Sequence, residues 1–280
     1  MIILDMNQIS LASLMMHQHM TKSDEVEEDA VRHMILNSIR MYRTKFNDEY
    51  GEIVLAYDSR HYWRKEHFPE YKAGRKKSRN SDDKDWNRIF EVLNNIKAEL
   101  KDTFPYKFLE VYGAEADDII AVLAKKYQNE KIMIVSGDKD FIQLQKYSNV
   151  KQYSPIQKKF VNGHDPYTYI KEHVLRGDKS DGIPNVLSPD NTFVDEMRQR
   201  PLGQKKIDGL LSQDVDDYPD EIKRNYQRNV MLIDLDNVPS ELEDKILDEY
   251  TSAPCGDRSK LFNYFIQNKL KTLTENIGDF

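Results

Sequence analysis

Three short apolar runs in this chain each lead into an aspartate, and that pattern constrains the fold more than any other feature. Ile2, Ile3 and Leu4 run into Asp5. Ile53, Val54, Leu55, Ala56 and Tyr57 run into Asp58, and Ile132, Met133, Ile134 and Val135 are broken by Ser136-Gly137 just before Asp138 and Asp140. Unbroken apolar runs of this length read as strands buried on both faces, and the Ser-Gly break marks a strand end. Ligands gather at the carboxyl ends of strands in open α/β sheets. Two carboxylates held there repel each other and lose solvation, a cost a fold tolerates mainly when a cation neutralises them. A single such aspartate reads equally well as the N-cap of a following helix.

Two further segments extend the pattern. Glu115, Asp117 and Asp118 open an apolar-periodic helix containing Ile119, Ile120, Val122 and Leu123, and Asp178 and Asp181 lie in the turn-rich stretch Gly177-Asp-Lys-Ser-Asp-Gly-Ile-Pro184. Capping accounts poorly for five acidic segments that can converge on one sheet edge. Oxygen donors without a Cys or His pattern suit hard divalent cations such as magnesium or manganese. The seven histidines, including His17 and His19, show no zinc spacing and read as structural or surface residues.

The net charge of −7 does not exclude a nucleic-acid partner, because charge is unevenly spread. Residues 60–79 hold eight Lys/Arg and the aromatics Tyr62, Trp63, Phe68 and Tyr71, against two acids. Basic side chains neutralise phosphates and interleaved aromatics offer faces to unstacked bases. The bland alternative is a solvated charged loop. This arm, about 59–82, begins just after Asp58 and is expected to be mobile without substrate.

Mean hydropathy is −0.75 and no apolar run approaches the ~20 residues needed to cross a bilayer, so no membrane role is expected. Cys255 is the only cysteine, which excludes an internal disulfide and, with no signal peptide to read, leads to the expectation of a cytoplasmic protein.

Along the chain, residues 1–9 read as a strand, followed by a helix over about 25–46, a strand over 53–57, the arm, a helix over about 83–101 and a strand near 107–111. After the helix that opens at Glu115 come the strand 132–135 and a strand or hairpin over 150–161. Strands alternating with helices predict an α/β fold with a mostly parallel sheet covered on both faces. Breakers crowd 182–205, and helical segments over 219–232, 239–250 and 258–275 suggest a small all-α domain over 184–280, following a first domain over 1–183.

Together these motifs resemble the flap endonuclease / 5′-nuclease family, nearest its T-even bacteriophage ribonuclease H branch. The resemblance covers nearly the whole chain. It rests on Asp5-Met-Asn-Gln-Ile, Tyr62-Trp63-Arg64, Tyr71-Lys72-x-x-Arg75, Glu115-Ala-Asp-Asp118, Ser136-Gly-Asp138-Lys-Asp140-Phe and Gly177-Asp178-x-x-Asp181. Asn149-Val-Lys-Gln-x-Ser-Pro and Asn229-Val-x-Leu-Ile-Asp also match the phage branch. The resemblance implies a PIN-like domain, two divalent ions (Mg2+, with Mn2+ as a substitute) and a basic bridge over the active site. Asp5, Asp58, Asp118 and Asp138 match the first metal group, with Glu115 and Asp117 close by. Asp140, Asp178 and Asp181 match the second, more hydrated group. Glu115 and Asp118 share a helical face while Asp117 turns away by about 100°, so not all three need touch a metal.

Lys72 and Arg75 are then expected to steady charge on the scissile phosphate, and Tyr71 to stack on a base. Arg64, Lys65, Lys76, Lys77, Arg79, Lys205 and Lys206 are candidate nucleic-acid contacts. The implied activity is Mg-dependent 5′→3′ exonuclease and flap endonuclease cleavage, with ribonuclease H activity in primer removal during phage DNA replication. Implied partners are DNA and RNA–DNA hybrids with 5′ ends or flaps, and replication proteins such as a single-strand-binding protein or sliding clamp; the protein is expected to be a monomer in the host cytoplasm. The alternatives are a PIN-type endoribonuclease acting on structured RNA and a non-catalytic nucleic-acid-binding relative. After Asp181 the chain departs from the family's glycine-rich helix–three-turn–helix element: Gly182-Ile-Pro184 starts it, an irregular stretch through Arg200 interrupts it, and Leu202-Gly203-Gln-Lys205-Lys206-Ile remains. Neither a potassium site nor a tight duplex grip is expected there.

Overall fold

The computed structural model describes residues 1–280 apart from His164 and the side chains of Lys76 and Ser78. In chain order its elements are β1 (Ile2–Asp5), α1 (Met6–Thr21), α2 (Glu28–Tyr50), β2 (Ile53–Ala56), α3 (Arg64–His67), α4 (Ala73–Asn80), α5 (Trp86–Thr103), β3 (Lys107–Leu109) and α6 (Ala116–Lys126). There follow β4 (Ile132–Val135), β5 (Val150–Ser154), β6 (Lys159–Phe160), α7 (Pro166–Arg176), α8 (Gln204–Leu211), α9 (Asp220–Ile233), α10 (Ser240–Ser252), α11 (Leu261–Gln267) and α12 (Lys271–Glu275). The strands form one sheet in the order β3-β2-β1-β4-β5-β6. All neighbours are parallel except β6, which returns antiparallel on β5.

Strand alternation divides the core. Ile2, Leu4, Ile53, Leu55, Met133 and Val135 face one layer, packed with α2 and α5 through Ile35, Ile39, Ile89 and Ile96. Ile3, Val54, Ala56, Ile132 and Ile134 face the other, where α6 supplies Ile119, Ile120 and Leu123. The C-terminal helices join both layers: Leu261, Phe265, Leu273 and Phe280 enter the first core, Leu242 and Ile246 the second. Residues 186–218 have a smaller core with Leu175, through Val186, Leu187, Ile207, Leu210 and Tyr218.

Three expectations change. The first strand stops at Asp5, whose carboxylate accepts the Gln8 N–H at 3.1 Å and starts α1 instead. Helix α7 fills a stretch with no predicted helix, capped by Asp165 with Pro166 in its first turn. The arm is anchored, because Trp63, Phe68 and Tyr71 are buried and Phe68 and Tyr71 pack with Val174, Ile183, Leu232 and Ile233. Only its second half, α4, lies on the surface, where Arg75 and Lys77 are exposed.

The loop after α7 is fixed by glycine. Gly177 has φ +67°, and a Cβ there would come within 2.4 Å of the Ile183 carbonyl oxygen, so only glycine fits. The irregular stretch beyond is held by buried amides: Asn185 donates to the Arg200 carbonyl at 2.9 Å, and Asn229 to the carbonyls of Val174 and Pro184 at 2.7 and 3.0 Å.

Candidate metal centre and its cationic arm

Strands β2, β1 and β4 are adjacent, so the residues that follow them meet at one edge of the sheet, where its winding reverses between β1 and β4. The Asp5 carboxylate accepts the Ser136 hydroxyl at 2.9 Å as well as the Gln8 N–H. Burial, reinforced by the charges of Asp58 and Asp138, pushes its pKa up to about 7. Asp58 accepts the Ala116 N–H at 2.8 Å, which ties the start of α6 to the end of β2. Burial and then the Asp140 charge raise Asp138 to about 6. Asp117 is held well above the usual carboxylate range, first by burial and then by Asp138, with Lys72 pulling the other way.

Behind this edge lies a second arrangement in which every acid is paired. Arg64 is 2 % exposed, and its guanidinium reaches Glu115 at 2.9 Å and Asp118 at 2.8 Å while Nε donates to the Leu232 carbonyl at 2.8 Å. Asp118 also accepts the Glu115 N–H at 2.9 Å, the backward half of a capping box. Lys72 pairs with Glu115 and lies 3.5 Å from Asp181. The Tyr71 hydroxyl sits 2.9 Å from both Glu115 and Asp181, with one proton to share between them. Arg75 donates to Asp181 at 2.6 Å, and the Lys72 N–H donates to the Asp181 carbonyl at 2.7 Å. With these cations committed, Asp5, Asp58, Asp117 and Asp138 have no ion-pair partner among the described residues.

In a third group, Asp140 and Asp178, expected to share a metal, are joined by a histidine that was not foreseen. His173 of α7 places Nε2 3.3 Å from Asp140 and 3.7 Å from Asp178, in a geometry that completes no hydrogen bond. Burial pushes its pKa down, but the two carboxylates outweigh that and raise it to about 10. Burial likewise opposes ionisation of Asp178, yet His173 and Ser180 hold it well below the usual carboxylate range. The other Asp178 oxygen accepts the Ser180 N–H and hydroxyl, both at 2.7 Å, which sets the loop's turn. Asp140, His173 and Asp178 present ligand atoms all within 4.8 Å of one another. In sequence a lone histidine gave no metal spacing; its place one helix turn before Gly177-Asp178 was the available signal.

Residues 1–174 match the family of 5′-3′ exonuclease N-terminal resolvase-like domains. Residues 166–280 match the T4 RNase H C-terminal family. The chain belongs to the 5′-3′ exonuclease family. It is 34 % identical to ribonuclease H of Enterobacteria phage T4 over 99 % of this chain and 95 % of that protein. It is also 30 % identical to a 5′-3′ exonuclease of Buchnera aphidicola over 66 % of this chain and 64 % of that one. Its fold is shared with the bacteriophage T5 5′-exonuclease with zinc ions bound, at a TM-score of 0.62 and 18 % identity, covering 90 % of this chain and 98 % of that one. A T5 flap endonuclease pseudo-enzyme–product complex with DNA and metal ions superposes with a TM-score of 0.61 at 18 % identity, covering 90 % and 99 %.

Within this 5′-3′ exonuclease the placement of several residues departs from the sequence reading. Glu115 and Asp118 do share a face, but it is the inward face bound to Arg64; Asp117 is the one that looks towards Asp5 and Asp138. Arg64 is a buried counter-ion and not a surface phosphate contact. Tyr71, 2 % exposed, has no free face for stacking on a base. Lys65, Lys77, Lys205 and Lys206 are exposed, with Lys77 paired to Glu196, and Arg79 lies over the Phe90 ring at 5.4 Å. The Lys76 side chain lies outside the described residues. The carboxylate oxygens at the sheet edge suit a hard divalent cation: burial, and then neighbouring charges, raise Asp5 and Asp138 in pKa.

Proposed function

We propose that this chain is a divalent-metal-dependent 5′→3′ exonuclease and flap endonuclease with ribonuclease H activity, acting on 5′ ends of RNA–DNA hybrids and duplex DNA to remove RNA primers in phage replication. The observation that carries the reading is that Asp5, Asp58, Asp117 and Asp138, whose charges meet through Asp5, have no ion-pair partner among the described residues and lie beside a cationic arm. These four would hold one ion and Asp140, Asp178 and Asp181 would serve a second, with magnesium the expected metal. When bound, such ions supply an activated water and stabilise charge on the reacting phosphate oxygens.

The chain's own residues do the rest. Arg75, with its side chain 46 % exposed, can turn from Asp181 to a phosphate. Lys72, shared between Glu115 and Asp181, holds a fixed positive charge next to the acids and can stabilise charge that develops on the phosphate. Lys65, Lys77, Arg79, Lys205 and Lys206 would neutralise backbone phosphates further out. We count the replication-protein partners and the monomeric state as part of the same reading.

The test is incubation of the protein with magnesium and 5′-labelled flap, nicked and RNA–DNA substrates. Short 5′-terminal products from RNA–DNA and duplex ends, and released flaps, are expected. Cleavage confined to the interior of structured RNA would favour the endoribonuclease alternative, and no cleavage of any substrate would favour a binding protein.

A further inference from the structure

His173 stands outside the all-carboxylate donor set expected for this centre, and its geometry gives it a role there. Its Nε2 is buried and lacks a hydrogen bond while facing Asp140 Oδ1 at 3.3 Å and Asp178 Oδ2 at 3.7 Å. Neighbouring ligand atoms on an ion at metal–ligand distances of about 2.1 Å lie about 3.0 Å apart in octahedral and about 3.4 Å apart in tetrahedral geometry. The observed separations lie within about 0.3 Å of the tetrahedral spacing. The imidazole is also aimed: Tyr169, one turn earlier on α7, stacks on it at 5.6 Å with an interplanar angle of 11°. From the other side the Asp178 carboxylate is fixed by Ser180 and by the Gly177 turn.

We infer that His173 is a nitrogen ligand of the ion held by Asp140 and Asp178, and that it biases this position towards transition-metal ions over magnesium. The inference rests on the metal-dependent reading above and deepens it. Imidazole suits zinc, iron, nickel and copper, and manganese, lowest in that divalent series, still accepts a nitrogen donor more readily than magnesium, which favours oxygen donors and retains its waters. The two metal positions therefore differ in kind: the Asp5, Asp58, Asp117 and Asp138 position offers oxygen alone, and the His173 position offers nitrogen as well. A proton and a metal ion compete for the same ring nitrogen, as they do at every histidine ligand.

The experiment is pulsed electron paramagnetic resonance on the full chain loaded with manganese alone, together with direct binding titrations of manganese and magnesium. The wild type should show nitrogen hyperfine coupling. His173→Asp, which restores an oxygen donor, should still bind manganese and lose that coupling. His173→Gln should weaken manganese binding at one position by about tenfold or more while changing magnesium affinity by less than about threefold, in the range seen when a ligand environment is disturbed. Manganese bound with oxygen-only coupling in the wild type would overturn the inference and leave the nuclease reading standing. Nitrogen coupling that survives in His173→Asp would also overturn it, because another histidine would then be the ligand. Failure of manganese to bind at all would count against the metal centre itself, a different result from either.

Discussion

Two groups of acids lie side by side in this protein and are treated in opposite ways. Glu115 and Asp118 are almost fully buried, yet each has an internal cation: Arg64 pairs with both and Lys72 with Glu115, and Tyr71 and a backbone N–H add hydrogen bonds. Asp5, Asp117 and Asp138 have no ion-pair partner among the described residues and are driven towards protonation by burial and by neighbouring acids. The first group is closed and structural. On the proposed reading, the second is left open for a cation from solution. Burial of charge by itself therefore does not point to a metal site in this fold; the proposed reading turns on burial without an internal counter-ion.

The largest effect should come from breaking the closed group. Arg64→Met leaves Asp118 buried without its ion-pair partner and Glu115 with only Lys72 and Tyr71, and should cost about 3–5 kcal/mol of folding stability in a denaturant titration. A midpoint near that of the wild type would mean that the pairing is idle. A change of similar kind in the open group should act the other way on stability. Asp138→Asn should raise the melting temperature of the metal-free protein by relieving repulsion, while single-turnover cleavage of a 5′ flap falls by about 10²–10³-fold. DNA affinity without metal should hold or rise.

The open group should also set the pH dependence. Asp5 and Asp138 have folded-state pKa values of about 7 and about 6, above the ordinary carboxylate value. Between the ordinary value, about 4, and those values the native state holds more protons than the unfolded chain. Stability of the metal-free protein should therefore fall as pH rises from about 4 to about 7, with the full penalty present above that range. Saturating divalent metal should flatten the decline, and thermal melts across this range with and without metal measure it. A smaller effect is expected at the border of the two groups. Lys72→Ala leaves Glu115 with Arg64 and Tyr71, so stability should drop by only about 1–3 kcal/mol, and turnover should fall with the magnesium midpoint unchanged. A shifted midpoint would place Lys72 among the residues that organise the metal.

Sequence alone reached the sheet because its strands are short, wholly apolar and closed by acids, a pattern with few other readings. It reached the acidic edge for the same reason. Helix α1 escaped because buried Ser10, Ser13, His17 and Gln18 interrupt its apolar stripe, although Asp5 was a legible N-cap. Helix α7 escaped although Asp165-Pro166 announced it, since Val174 and Leu175 are its only fully buried residues. The roles of Arg64 and Lys72 depend on partners in a distant segment of the chain, Glu115 and Asp118, so the local run of basic residues read only as an arm facing phosphates. Helical spacing gave the shared face of Glu115 and Asp118 correctly. It could not say which face looks inward, and that decided between Asp117 and Asp118.

The central claim is that the Asp5, Asp58, Asp117 and Asp138 group is an open site for a solution cation. A divalent-metal titration of thermal stability above pH 7, run in parallel on wild type and Asp138→Asn, tests it most directly. Magnesium or manganese should stabilise the wild type by about 2.7 kcal/mol at a hundredfold excess over Kd, and the variant by clearly less. A wild-type melting temperature indifferent to millimolar magnesium and manganese would contradict the account.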